Sequence, residues 1–262
     1  MIVLFNIGRI ILASVWTAIV ATPLLITIYS RYAYGLLRAK FGRRDLLDRA
    51  LDANARFTCW VAQHLWTKVV LALAGIRLRV REIAPVDWTT THVICANHAS
   101  IFDILALTRV VPPPFRFVAK RELLKWPFIG WALRPAGQIV IDRADRSRAL
   151  RIIAEAAVHK IRGHVIFFVE GTRTKTGQLQ PFKKGAFHFA LDNRLPILPI
   201  AVCGSYAALA KLPWWRLNPG CQIEILFCRP IPPLRSSALD GVAVDSLLTA
   251  TREQIAAALA GI

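Results

Sequence analysis

The chain has 262 residues, of which 55% are hydrophobic and 19% charged, and its 34 basic and 16 acidic residues leave a net charge of +18. This length suits one α/β domain with an appendage, and so apolar a composition excludes a disordered chain and is unusual for a soluble domain. The charge favours an anionic partner, and the hydrophobicity favours a membrane over nucleic acid. We therefore expect membrane lipids, and no nucleic acid, among the partners.

The first predicted element is a membrane helix at residues 10–30, a run of 21 residues without a charge. At about 1.5 Å per residue, such a helix crosses the roughly 30 Å hydrocarbon core of a bilayer, and Pro23 is a candidate kink within it. A cleaved signal peptide is the alternative, although the run is long for one and only Arg9 precedes it as a charge. Basic residues dominate the next stretch, so the positive-inside rule predicts that the remainder faces the cytoplasm at the inner membrane.

A second apolar segment, residues 57–76, carries Gln63, His64 and Lys68 near its middle. These polar groups argue against a full span, so we predict an interfacial or re-entrant helix that packs on the first, with Trp60 and Trp66 near the headgroups. A buried core helix is the alternative. Residues 1–76 are thus expected to anchor an α/β domain formed by residues 77–262.

From residue 77 onward, short apolar runs alternate with stretches of helical spacing. Residues 101–110, 147–162 and 185–193 have that spacing, and a last helix is expected after Ser236. The predicted strands are IRLRVRE, HVICA, FRFVA, QIVI, HVIFFV, LPILPIAV and IEILF. Strands that alternate with helices predict an α/β fold, here a mixed, largely parallel sheet covered by helices.

The five cysteines form no CxxC pair, and most lie within apolar runs, where a reduced cysteine acts as a small core residue. This pattern indicates a reducing compartment and argues against a disulfide framework or a zinc site.

Polar residues follow three of the predicted strands: Asn97-His98, Asp142-Arg143 and the run from Glu170 to Arg173. In sheets of this kind, functional residues gather at the carboxyl ends of strands. We therefore expect a site at this edge of the sheet.

Two accounts of His98 and Asp103 are open. In the first, Ser100 and Asp103 form a capping box at a helix start, and His98 is an ordinary loop residue. In the second, Asp103 also fixes the tautomer of His98 and raises its basicity, so that the free ring nitrogen takes a proton from an alcohol. The spacing of five residues places His98 in the turn before the helix in either account.

The stretch FFVEGTRTKTGQLQPFKKGAF, residues 167–187, is either a solvated basic loop or an anion site. Arg173 offers a planar fork suited to phosphate, and Gly171 allows backbone N–H groups to approach a ligand. Lys183 and Lys184 precede a predicted helix whose positive end favours anions. A third stretch combines Lys120 with Trp126, Phe128 and Trp131, which is typical of a membrane-facing rim and equally of an amphipathic helix with no ligand.

Four blocks in this order resemble the glycerolipid (PlsC-type) acyltransferase family. They are NHASIFD at residues 97–103, GQIVIDR at 137–143, FVEGTR at 168–173 with Val169 in place of the usual proline, and LPILPI at 195–200. The stretches VAKRELLKWPFIG and FKKGAF also resemble family members. A single HxxxxD motif is weak evidence for this family, whereas four blocks in the family's order are specific evidence. The proline replacement concerns the shape of one loop.

The resemblance implies that His98 is the general base and Asp103 its orienting partner. It further implies transfer of an acyl chain from acyl-CoA or acyl-carrier protein to the sn-2 hydroxyl of 1-acyl-sn-glycerol-3-phosphate, with no cofactor, metal or covalent acyl-enzyme. The residues implied in binding the substrate are Asn97, Lys120, Arg143, Glu170, Gly171, Thr172 and Arg173.

Three alternatives remain. The same chemistry could serve another acceptor, such as a lyso-ornithine lipid. Cys95 could act as a nucleophile with His98 as its base. A membrane-anchored, basic, non-enzymatic nucleic-acid-binding protein is the third, and it would need aromatic residues interleaved with basic ones on an exposed platform. Most aromatic residues of this chain lie inside apolar runs instead.

Overall fold

The computed structural model describes residues 2–42, 44–142, 152, 163–210, 216–234 and 240–261. Long N-terminal helices precede an α/β body. The helices are α1 (Ile2–Lys40), α2 (Arg44–Val61), α3 (Thr67–Ala74), α4 (Phe102–Val110), α5 (Ile129–Leu133), α6 (Gly185–Asp192), α7 (Ser205–Ala208) and α8 (Asp240–Ala260). The strands are β1 (Arg77–Glu82), β2 (Val93–Ala96), β3 (Phe115–Lys120), β4 (Ile139–Ile141), β5 (His164–Phe168), β6 (Ile197–Cys203) and β7 (Gln222–Phe227).

The strands form one sheet in the order β1-β7-β6-β2-β5-β3-β4. Neighbouring strands are parallel except for the antiparallel pair β6 and β7. The predicted mixed, largely parallel sheet covered by helices is therefore confirmed. The predicted helix at residues 147–162 lies outside the described residues apart from Ile152, which is helical.

The central strands read as unbroken apolar runs because helices cover both faces of the sheet. Along β2, Val93 and Cys95 face the side covered by α6 and α8, and Ile94 and Ala96 face the side covered by α3 and α4. All four side chains are fully buried. The core is thus two apolar layers that hold the strand ends, and the loops following them, in a fixed arrangement.

Helix α1 passes through Pro23 without a break and exposes many apolar side chains, such as Ile19 and Ile26. Within the described ranges, it is the one helix long and apolar enough to cross a membrane. The second apolar segment comprises the end of α2, a π-helical turn (Ala62–Trp66) and α3. Its Trp66 Nε1 donates to Thr17 Oγ1 of α1 at 2.9 Å, so the predicted packing on the first helix is present.

The inner face of the second segment belongs to the core of the body, as in the buried-helix alternative. Thr67 and Leu71 are buried, and Gln63 Nε2 donates to the carbonyl oxygens of Arg109 and Val111 at 3.0 and 3.3 Å. Trp60, on the outer face, is 49% exposed. The boundary predicted at residue 76 stays a prediction, since these contacts join both sides of it.

A histidine pair closes the amino ends of β2 and β5. The rings of His92 and His164 stack with centroids 5.7 Å apart, and Trp88 packs edge-on against His164 at 5.2 Å. The backbone N–H of His92 donates to His164 Nδ1 at 3.3 Å. Burial, and secondly the neighbouring His92, lower the pKa of His164 to about 4. The fold therefore holds this imidazole neutral.

We expect acid to destabilise the fold through His164. His164 takes up a proton near pH 6.5 in the unfolded chain and near pH 4 in the folded chain. The stability of the fold that depends on a neutral His164 is therefore complete above pH 6.5 and is lost as the pH falls to 4. The free energy of unfolding should fall by about 2 kcal/mol between pH 7.5 and pH 5. Thermal unfolding of the wild type and His164→Gln at both pH values measures it. Equal losses in both proteins would assign the acid sensitivity to other groups.

Candidate active site

The loop after β2 and the first turn of α4 bring His98 and Asp103 together. His98 Nδ1 lies 2.8 Å from Asp103 Oδ2, and the side chains are 14% and 0% exposed. Nδ1–H donates to the carboxylate, since a carboxylate oxygen only accepts. The tautomer with its proton on Nδ1 leaves Nε2 as a proton acceptor, and Nε2 makes no hydrogen bond to any described residue. The pair has the geometry of a general base with its orienting group.

Asp103 also caps the start of α4, so the cap contacts of the first account and the Asp–His contact of the second are both present. Its Oδ2 accepts hydrogen bonds from the backbone N–H groups of Ala99 and Ser100 at 2.6 and 2.8 Å. Ser100 Oγ accepts the N–H of Phe102 at 3.3 Å, one residue short of the N–H that a capping box uses, so only the Asp103 half of the box is formed. The same carboxylate oxygen therefore fixes the helix start and the histidine ring in one rigid unit.

Glu170 holds the backbone of His98 from the neighbouring strand. Its Oε1 accepts the N–H of His98 at 2.7 Å and its Oε2 accepts the N–H of Gln180 at 3.0 Å. In return the N–H of Thr174 donates to the carbonyl oxygen of His98 at 2.9 Å. Burial raises the pKa of Glu170, while the two backbone donors oppose the shift. Glu170 is 3% exposed, so its carboxylate is directed into the protein.

The parallel register of β2 and β5 explains why these residues meet. Ala96 pairs with Phe168, so the loops beginning at Asn97 and Val169 leave the sheet side by side. The ring of Phe168 stacks under His98 with centroids 3.9 Å apart and an angle of 17°. Phe117 of β3 continues the stack at 6.1 Å from Phe168. An apolar floor thus lies beneath the histidine.

The described candidate anion-binding residues lie at or after the carboxyl ends of β3 and β5, at the same edge of the sheet as this pair. Arg173 is half-buried and makes no hydrogen bond or ion pair with a described residue, and Thr172 is exposed. Gly171 has φ of +75°, a conformation that favours glycine. Lys120 ends β3 at the same edge of the sheet and pairs with Glu122 at 2.9 Å. Arg143 lies outside the described residues.

The family model described as Acyltransferase matches residues 77–203. An uncharacterized acyltransferase of Schizosaccharomyces pombe is 35% identical over 199 residues, which cover 73% of this chain and 70% of that protein. The chain belongs to the acyltransferase family.

Two further comparisons agree with this assignment. The 1-acyl-sn-glycerol-3-phosphate acyltransferase alpha of Mus musculus is 34% identical over 186 residues, covering 70% of this chain. The aligned part spans 64% of that relative, a little under two-thirds of its length. The fold matches the crystal structure of the 1-acyl-sn-glycerophosphate acyltransferase PlsC from Thermotoga maritima, with a TM-score of 0.56 and 23% identity over 92% of this chain and 97% of that one.

Two residues of this acyltransferase have their polar groups occupied within the protein. The Asn97 amide donates to the carbonyl oxygen of Val202 at 2.9 Å and accepts its N–H at 2.7 Å, which links the end of β2 to β6. The two carboxylate oxygens of Glu170 accept the N–H groups of His98 and Gln180. For both residues, the role in substrate binding stays a prediction. Their observed contacts hold the loop that carries His98 in position.

The basic pair that precedes α6 is partly engaged elsewhere. Lys184 Nζ pairs with Asp245 of α8 at 2.6 Å, and the backbone N–H of Lys183 donates to the carbonyl oxygen of Val169 at 2.7 Å. A Cβ atom on Gly171 would lie 3.3 Å from Lys183 Cγ, so the two loop segments pack closely. These contacts shape the loop that packs beside His98 and Glu170.

A cysteine nucleophile does not fit the acyltransferase site. Cys95 is fully buried in β2, and burial raises the pKa of its thiol, so a reactive thiolate is disfavoured. In the described part of the chain, no three His, Cys, Asp or Glu side chains are grouped closely enough to hold a metal ion. The metal-free, cofactor-free reaction stays a prediction.

Sequence reasoning missed three residues that build this site. Phe168 supports the His98 ring, Gln180 donates its backbone N–H to Glu170, and Thr174 donates its backbone N–H to the carbonyl oxygen of His98. Phe168 is the first residue of the FVEGTR block at residues 168–173, which was a usable sign of its location. Backbone donors carry no sequence signature, so nothing in the sequence points to the other two.

Proposed function

We propose that the chain transfers an acyl group from acyl-CoA or acyl-carrier protein to the sn-2 hydroxyl of 1-acyl-sn-glycerol-3-phosphate, forming phosphatidic acid for phospholipid biosynthesis. The observation that carries the proposal is the His98–Asp103 contact of 2.8 Å, with Nε2 left as an acceptor at the carboxyl edge of the sheet. The name of the relative from Mus musculus, a 1-acyl-sn-glycerol-3-phosphate acyltransferase, supports the choice of acceptor.

In the proposed reaction, His98 Nε2 removes the proton of the acceptor hydroxyl as its oxygen attacks the thioester carbonyl carbon. A tetrahedral intermediate forms, in which the former carbonyl oxygen carries the negative charge. The C–S bond then breaks, the ester carbonyl is restored, and the imidazolium gives its proton to the departing thiolate. Asp103 stabilises the imidazolium between these two proton transfers, so the enzyme returns to its starting state.

The Arg173 side chain supports a phosphate-bearing acceptor. It is half-buried in the loop that follows β5 and has no partner among the described residues, whereas Lys120 and Lys184 each pair with a carboxylate. A guanidinium can form two parallel hydrogen bonds with a phosphate. Thr172 and Lys120 are exposed at the same edge and complete the proposed headgroup subsite.

Activity of detergent-solubilised protein tests the proposal most directly. We would offer lysophosphatidate and lyso-ornithine lipid side by side, each with acyl-CoA and with acyl-carrier protein, and quantify the acylated products. Preferred acylation of lysophosphatidate is the expected result. Preference for lyso-ornithine lipid would reject lysophosphatidate as the acceptor and would leave the roles of His98 and Asp103 unchanged. Retention on DNA without any acyl transfer would reject the proposal that the protein is an enzyme.

Arg173→Lys is expected to lower kcat/KM for lysophosphatidate by about one to two orders of magnitude. Lysine retains the charge and loses the bidentate fork, and hydrogen bonds to charged groups contribute about 1.5–3 kcal/mol each. The loss should be small for a lysolipid without a phosphomonoester. Steady-state kinetics with both acceptors measures this, and an equal loss for both would show that Arg173 supports the loop and not the headgroup.

We further propose attachment to the inner membrane through α1, with the body in the cytoplasm. The exposed apolar face of α1 supports this, as do Trp126 and Trp131, each 50% exposed. Tyr29 Oη of α1 donates to the carbonyl oxygen of Trp131 at 2.9 Å, so one aromatic residue is held beside the helix.

High salt is expected to leave the intact protein in the membrane fraction, because burial of apolar side chains is not screened by ions as surface charge is. Fractionation in 1 M salt, roughly a threefold shorter screening length than physiological, followed by detergent extraction would measure this. Release by salt alone would reject insertion of α1.

A further inference from the structure

A series of contacts connects the C-terminal helix to the backbone of His98. Arg252 Nη1 of α8 donates to the carbonyl oxygen of Gln180 at 2.7 Å. The N–H of Gln180 donates to Glu170 Oε2, and Glu170 Oε1 accepts the N–H of His98. Arg252 therefore lies three contacts away from the catalytic histidine.

Arg252 is held on the loop by a second interaction. Its guanidinium carbon lies 5.4 Å from the centre of the buried Phe182 ring, a cation–π distance. The loop from Thr172 to Lys184 contains no regular secondary structure, so its conformation depends on such tertiary contacts. Arg252 fixes the part of the loop that carries the Gln180 N–H.

We infer that Arg252 is a positioning residue for the acyl transfer proposed above, on which this inference rests. By holding Gln180, it keeps Glu170 bonded to the His98 backbone and so keeps the imidazole aligned with the acceptor hydroxyl. Arg252 lies outside residues 77–203, the part that the family model matches, and outside all four sequence blocks. The charge interaction between Arg252 and Glu170 acts in the same direction.

This role predicts an effect on kcat and not on substrate affinity. The guanidinium contacts a backbone carbonyl and an aromatic ring of its own chain, so its loss removes no substrate contact. A displacement of the catalytic base by about 1 Å can reduce turnover by about 10²-fold. We expect the loosened loop to produce part of this loss.

The test compares Arg252→Gln with Arg252→Lys and with a control, Glu253→Gln, which changes the next, exposed residue of α8. Arg252→Gln should lower kcat about tenfold and leave both KM values within about twofold. Lysine can also donate to the Gln180 carbonyl oxygen, so Arg252→Lys should recover most of the activity. Arg252→Met, which keeps the apolar stem over Phe182, replaces the glutamine variant if that one fails to fold.

Hydrogen exchange gives a readout that does not depend on activity. Amide exchange in a peptide containing His98 should accelerate in Arg252→Gln and remain at the wild-type rate in Glu253→Gln. Unchanged kcat and exchange in a folded variant would overturn the inference, and so would an increase in KM at constant kcat. If the wild type acylates no lysolipid, the proposed function fails, and the exchange result still decides whether Arg252 holds the His98 backbone.

Discussion

His98→Ala is expected to lower kcat by about 10²–10⁴-fold while the protein stays folded. The substitution removes the group that accepts the hydroxyl proton and returns it to the thiolate. Asp103 keeps two backbone donors, from Ala99 and Ser100, so the start of α4 remains capped. Initial rates at saturating donor and acceptor, together with the melting temperature, measure both effects.

The matched control is His188→Ala, which removes a partly exposed histidine from α6. It should leave turnover unchanged, which separates loss of the catalytic imidazole from a general effect of losing a histidine. Turnover of His98→Ala within a few-fold of wild type would remove His98 from the mechanism.

Asp103→Asn is expected to lower kcat by about 10²–10⁴-fold as well. Replacing the aspartate of a Ser-His-Asp triad by asparagine in a serine protease lowers kcat by about 10⁴-fold. The amide oxygen can still accept the two backbone N–H groups and the His98 Nδ1–H. It carries no full negative charge, however, so it cannot stabilise the imidazolium that forms between the two proton transfers.

Asp103→Ala separates the catalytic role from the capping role. It leaves the N–H groups of Ala99 and Ser100 without their acceptor, and loss of a cap costs about 0.5–2 kcal/mol. We expect lower melting temperature and lower kcat together, compared with lower kcat alone for Asp103→Asn. A lower melting temperature at normal kcat would reduce Asp103 to a helix cap.

The strands, the long N-terminal helix and the contact between His98 and Asp103 follow from local sequence patterns. Hydrophobic periodicity is local, and the central strands are apolar throughout because both faces are covered, so their composition marks them directly. The contact between His98 and Asp103 was also predictable, since His98 lies in the short turn after a strand and Asp103 in the first turn of the next helix. Short separation in sequence left few possible geometries.

Only the tertiary structure decided how the distant loops meet. Glu170 and His98 are 72 residues apart, and their hydrogen bond exists because β2 and β5 pair with Ala96 beside Phe168. Such a register depends on the packing of both faces of the sheet, which no local pattern encodes. The inward direction of the Glu170 carboxylate and the contact of Arg252 with the loop follow from that packing.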